Sequence, residues 1–328
     1  AIMAARAFLG VTEAPTFPAN AKAVGYWFPR SERSFATSLF DGAAKLSNAI
    51  AVPFTAWLMI QFGWRGMFWT NAFLSLIFFG LFWVFYRNPS QDKRLTPAEA
   101  KYIRDGGAEP ETSAGGAPGA SIMYLVSRTK VWGLTIGFTA YDYLFGFLLT
   151  WLPGYLTTTF GVNILKAAGY AFIIWMCGTI SDMVVGGWLV DYLIKRGYDA
   201  NRVRKTLLIA GLVLGFAVIG AAFTKDINVA VFWIAVAAAG ISFHAPVAWS
   251  IPGLIAPRNS TGTIGGIMNL FGNLGTFCAP LVTGLIVAST GSFYAALLTA
   301  GIILLVGIAS YVWLLGRIEP IPEPTAVA

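Results

Sequence analysis

The chain has 328 residues, of which 57% are hydrophobic and 11% charged, and its mean hydropathy is +0.68. A soluble domain carries about 25% charged residues, so a soluble enzyme is excluded and the apolar stretches require lipid. The net charge of +7 does not indicate nucleic acid, because the basic residues cluster in the loops between apolar runs.

A bilayer crossing takes about 20 apolar residues. Nine stretches qualify: residues 4–23, 35–62, 67–85, 131–158, 167–194, 206–223, 229–255, 264–288 and 293–315. The pattern predicts an all-α integral membrane protein. Most of the 22 basic residues fall on one face, in the loop with Lys22, Arg30 and Arg33, in 87–130, in 195–205, and at Arg258 and Arg317. The positive-inside rule makes that face cytoplasmic. Cys177 and Cys278 lie within spans and read as small core residues, with no disulfide framework and no metal set.

In the first span Arg6 and Glu13 are seven residues apart, two helical turns, and share one face. A cation for an anion and a protonatable carboxylate would then line one wall. Arg6 snorkelling to an interface, with Glu13 packed neutral, is the plainer alternative. Asp41 and Lys45 in the second span form an i, i+4 pair; either they neutralise each other or Lys45 lines an anion cavity.

The third span is followed by the one long polar segment, 87–130. Within it Thr96-Pro97-Ala98-Glu99 reads as a capping box opening a short surface helix that stops at Gly106-Gly107, and Ser113 to Gly119 is of low complexity. Three spans precede the segment and six follow it. Because many transporters are built from repeats of equal span number, three further spans are expected before Ala1. Without them Glu13, Lys45 and Asn48 would face lipid.

In the fourth span Tyr141-Asp142-Tyr143 precedes a bend at Pro153 and suits a gate, with interior packing and a solvated Asp142 as the alternative. The fifth span ends Gly187-Trp-Leu-Val-Asp191, followed by Lys195-Arg196 and then Arg202, Arg204 and Lys205; an acid at a helix end close to such a basic turn can lock two helices by ion pairing, with a solvated basic loop as the alternative. His244 reads as a polar helix contact, with proton relay the other possibility. In the eighth span Gly262 and Gly266 have small-xxx-small spacing for close helix approach. Asn269 and Asn273 share a face and need polar partners.

Together these residues resemble the anion:cation symporter branch of the major facilitator superfamily. The carriers are Arg6 to Pro15 with Phe17-Pro18; Trp27-Phe-Pro29 with Glu32-Arg33; Trp64-Arg65 with Phe68; Leu149 to Pro153; Gly187 to Arg196, which looks like the second copy of the superfamily's loop motif; and Ala256-Pro257 with Gly265-Gly266 and Asn269-x-x-Gly-Asn273. Tyr192 departs from the basic residue common in that motif.

The resemblance implies a major facilitator fold lacking its first three spans. Residues 1–86 would close an N-terminal bundle, 87–130 form a cytoplasmic linker, 131–316 form a six-helix bundle and 317–328 a cytoplasmic tail. It implies proton-coupled uptake of an organic anion, a sugar acid such as galactonate, glucarate or a hexuronate. Glu13 would couple protons, and Arg6, Lys45, Tyr141, Trp249 and Asn269 would bind substrate. Gly187, Asp191 and Arg196 would form the gating motif. No catalytic group or metal is expected, no cofactor beyond a coupling proton, and no nucleic-acid partner. The protein is expected as a monomer in the bacterial inner membrane. An integral-membrane transferase or non-transporting sensor is the alternative from another class; it would show a polar catalytic constellation at one membrane face, which the sequence lacks.

Overall fold

The computed structural model describes residues 2–108 and 119–324; the side chains of Ile2, Arg6, Val52, Ala56 and Ile164 are outside that description. The low-complexity run therefore lies outside the described residues up to 118. All regular structure among the described residues is helical.

The expected first span is two helices, α1 (Ile2–Glu13) and α2 (Thr16–Trp27). Pro15 and Pro18 lack the N–H groups that a continuous helix would donate to Val11 and Ala14. The second and third expected spans join in α3 (Arg33–Phe85), interrupted at Gly63 with φ 67° and ψ 176°. A side chain there would be strained, so glycine turns the chain between the two spans. The capping box is observed: α4 (Pro97–Asp105) starts where the Thr96 hydroxyl accepts from the Glu99 N–H at 3.3 Å.

The second block begins with α5 (Ile122–Val126) and the long α6 (Thr129–Phe160). Next, α7 (Ile164–Ser181) runs into a π-helical segment, Asp182–Leu189, and on into α8 (Val190–Lys195). It is completed by α9 (Ala200–Gly215), α10 (Ala217–Gly220), α11 (Ile227–Ser250), α12 (Pro252–Ile255), α13 (Thr261–Thr290) and α14 (Tyr294–Trp313). Here α6 packs against α13 and α14, and α11 packs against α7 and α9, while α3 lies along α7, the π segment and α11.

Length and hydropathy by themselves support six of the nine expected spans: 57–85, 165–195, 200–223, 227–255, 261–290 and 294–313. The other three are the broken α1–α2 pair, the part of α3 with Asp41 and Lys45, and α6, whose tyrosines, threonines and Asp142 dilute its apolar content. The window within 57–85 is wholly unburied, with Trp69 and Trp83 more than two-thirds exposed. That surface suits lipid rather than water.

Two packing expectations are corrected. Gly262 and Gly266 have no neighbour within reach of an added Cβ. The close approach on α13 is one to three turns later, where Gly272 meets Asp142 and Phe138, and Gly275 meets the Thr139 backbone. Cys177 and Cys278 are free and exposed rather than core residues, since each lies on the apolar outer face of its helix.

Candidate functional site

A buried ionic cluster sits between α3 and the π segment. Lys45 is 1% exposed, Asp41 4% and Asp182 0%. The Lys45 ammonium donates to Asp41 on its own helix and to Asp182 Oδ2 at 2.6 Å. The i, i+4 pair is therefore real but is completed by a third residue 137 positions away. Lys45 does not face lipid, because Asp182 covers it. Glu13 is exposed and Asn48 half-buried.

An aromatic run leads from the α1–α2 break into the second block. Phe17 stacks on Trp249 at 5.4 Å between ring centroids, and Trp249 meets Phe138 edge-on at 5.5 Å. Phe138 then leads to Tyr141, which stacks on His244 at 5.1 Å. His244 is fully buried, and its Nε2 lies 2.8 Å from the Tyr311 hydroxyl, which is the polar helix contact expected for it. Asp142 is half-buried against Gly272 rather than solvated.

Asn269 donates from Nδ2 to the Ala14 carbonyl at 3.2 Å, next to Glu13. Asn273 in turn donates to Asn269 Oδ1 at 3.1 Å. Both asparagines thus find polar partners, as expected for amides on one helix face. Arg6 belongs to α1, but its side chain is outside the described residues. A narrow cleft of about 260 Å³, open mouth included, is lined by Gly25, Arg33, Thr37, Trp249, Ser250 and Thr261.

The loop motif meets the start of α3. Asp191 Oδ2 accepts from the Phe35 N–H at 2.8 Å, so it caps a helix of the first block from the second. An added Cβ on Gly187 would overlap the Ser38 hydroxyl. Besides this backbone cap, Asp191 is in electrostatic range of Arg204 and Lys195 of the basic stretch, and Arg196 lies over the Tyr192 ring at 4.7 Å. Nearby, Glu32 accepts from the Tyr102 hydroxyl at 2.8 Å and from Lys195 at 3.1 Å, tying α4 and α8 to the α2–α3 loop. These two bonds, the Tyr102 one foremost, hold the Glu32 carboxyl below its usual range against partial burial.

Sequence reasoning missed Asp182, Tyr311 and the Glu32 latch. An acid inside an apolar span was itself a signal for Asp182. Its partner on α3 could not be read from spacing.

Residues 1–275 match the family model Major Facilitator Superfamily. The chain is 41% identical to the uncharacterized transporter YybO of Bacillus subtilis over 96% of its own length and 73% of that protein. It is 33% identical to the probable galactarate/D-glucarate transporter GarP of Escherichia coli strain K12, covering 96% and 72%. To the D-galactonate transporter of Escherichia coli O6:H1 it is 31% identical, covering 96% and 74%. Among solved structures, the proton:xylose symporter XylE superposes with a TM-score of 0.65 at 16% identity, over 91% of this chain and 67% of that one. Helices, membrane-suited surface and these likenesses agree: the chain belongs to the major facilitator superfamily and is a multi-pass membrane transporter, not an enzyme.

Proposed function

We propose that the protein takes up a sugar acid together with protons by alternating access of its two helical blocks. The observation that carries the reading is the sustained similarity to transporters named for galactarate, glucarate and galactonate, along 96% of the chain. Glu13 is the coupling carboxylate. It sits at the α1–α2 break, beside the carbonyl that Asn269 holds. Arg6 engages the substrate carboxylate through its planar fork, while Trp249, Asn269 and Tyr141 line the path of the hydroxylated chain. Lys45 joins the substrate only after leaving Asp41 and Asp182. Gly187, Asp191 and Arg196 serve the closure of the two blocks. The monomer operates in a bacterial inner membrane with its basic loops and C-terminal tail in the cytoplasm.

The test is transport in proteoliposomes with a panel of sugar acids. Glu13→Gln should keep exchange and lose accumulation driven by a pH gradient. Unchanged accumulation refutes the assignment.

A further inference from the structure

We propose that Asp182, with Asp41, forms a proton-binding site whose occupancy releases Lys45 to the carboxylate of an incoming anion. This rests on the proton-coupled anion uptake proposed above and adds a second proton to that of Glu13.

The first support is charge balance. Lys45 brings one positive charge to two carboxyls, and all three groups are almost without water. Buried charge in excess of its partners is strongly disfavoured, so the ionised cluster, with one carboxylate more than it has cations, is set to take up a proton. The second support is geometry. Asp182 Oδ2 accepts from Lys45, but its Oδ1, fully buried, has no hydrogen-bond partner. Asp41 and Asp182 both reach the one Lys45 ammonium, so the two carboxyls converge on a single cation.

Among the described residues, Lys45 is the one cation in electrostatic range of Asp182. The titratable groups in electrostatic range of the cluster from other helices are Tyr141 and Asp142 of α6 and His244 of α11. Tyr141 is in electrostatic range of Asp41, Asp142 and Asp182. Asp142 is in range of Asp41 and Lys45. His244 is in range of Lys45 and is held through Nε2 by Tyr311. Asp182 is the first residue of the π segment, a winding that recurs at functional sites.

The coupling follows from the ligands of Lys45. With both carboxyls ionised, the ammonium is held by Asp41 and Asp182. A proton from the outer aqueous phase, taken at Asp182, removes one of these charges. The freed ammonium donor then turns to the substrate carboxylate. When the anion leaves, Lys45 returns to Asp182 and the proton departs to the inner phase. No covalent bond other than the carboxyl O–H forms or breaks.

The experiment compares unaltered protein with Asp182→Asn in proteoliposomes, using radiolabelled D-glucarate, D-galactarate, D-galactonate and D-glucuronate. Exchange at equal pH is measured, and the charge moved per anion is obtained from the membrane potential that stops net flux. Exchange should persist in Asp182→Asn, with the charge per anion lower by about one elementary charge. Asp182→Glu should move the same charge as the unaltered protein. An unchanged charge in Asp182→Asn overturns the proposal. Should that variant not fold, Asp41→Asn leaves one carboxyl for one ammonium and should show the same drop; an unchanged charge there overturns it equally. If the unaltered protein exchanges none of the four acids, the transport reading fails instead. The site is then judged by unfolding: the pH dependence of Tm should lose one proton's worth of slope in Asp182→Asn, and an identical dependence overturns the site.

Discussion

The amide of Asn269 donates to the carbonyl of Ala14, and Ala14 is the residue whose helical partner four positions on is Pro18, which has no N–H to give. A helix of the second block thereby supplies the bond that the first block's proline removed. The α1–α2 break beside Glu13 is held from outside its own helix. Asn269→Ala should strand this carbonyl at a cost of about 1–3 kcal/mol, read as a lower Tm and altered preference among sugar acids. Pro18→Ala in the same molecule restores an N–H and should recover part of the loss.

Arg6→Lys should weaken transport strongly. A lysine keeps the charge but loses the two parallel N–H groups that match a carboxylate. Uptake kinetics across the sugar-acid panel check this, and near-normal uptake would remove Arg6 from the site.

Lys45→Met is expected to destabilise the protein by about 3–5 kcal/mol, since it leaves Asp41 and Asp182 buried without their cation. Adding Asp41→Asn and Asp182→Asn should restore most of the Tm while transport remains impaired. Equal Tm in the single and triple variants would contradict the charge argument.

At the loop motif, Gly187→Ala should push α3 away from the π segment, because the new methyl overlaps the Ser38 hydroxyl. Ser38→Ala should relieve the clash in part. Asp191→Ala removes the cap on the Phe35 N–H, worth about 1 kcal/mol. Cysteine cross-linking across this seam should become slower in both Gly187→Ala and Asp191→Ala.

The Glu32 latch responds to acid. Folding lowers the Glu32 carboxyl through the Tyr102 hydroxyl and Lys195. Its contribution is therefore complete above the unfolded carboxylate value of about 4.3 and disappears as pH falls through the lower folded value. The pair is partly exposed, so its worth stays within about 1 kcal/mol. Tm of the unaltered protein should exceed that of Glu32→Gln near neutrality, and the difference should vanish in strong acid.

Much of this was legible in the sequence, for physical reasons. Apolar runs of bilayer length announced the helices, and Thr96 with Pro97 announced α4, because both signals are local. The pairing of Asp41 with Lys45 followed from helical spacing. Asp182 behind that pair, Tyr311 behind His244 and Phe35 above Asp191 did not, since each contact joins elements set side by side only by the fold. The small-residue pattern misled at Gly262 and Gly266 because it marks where a helix can approach, not which face another helix occupies. The break between α1 and α2 went unread because residues 4–23 read as one apolar span, and the bond by which Asn269 mends it joins elements far apart in the chain.

The π segment has one more consequence. Asp182 and Asp191 are nine residues apart, which on an α-helix of 3.6 residues per turn is two and a half turns, on opposite sides. Yet both touch α3, one through Lys45 and the other through the Phe35 N–H. The wider i→i+5 winding of Asp182–Leu189 takes back roughly a third to half of a turn over that distance, and so brings the two acids into phase. The segment works as a phase corrector between the ionic cluster two to three turns into α3 and the cap at its start. Were the segment wound as plain α-helix with its nine-residue spacing kept, each acid would be chemically intact, but only one of them could face α3 at a time.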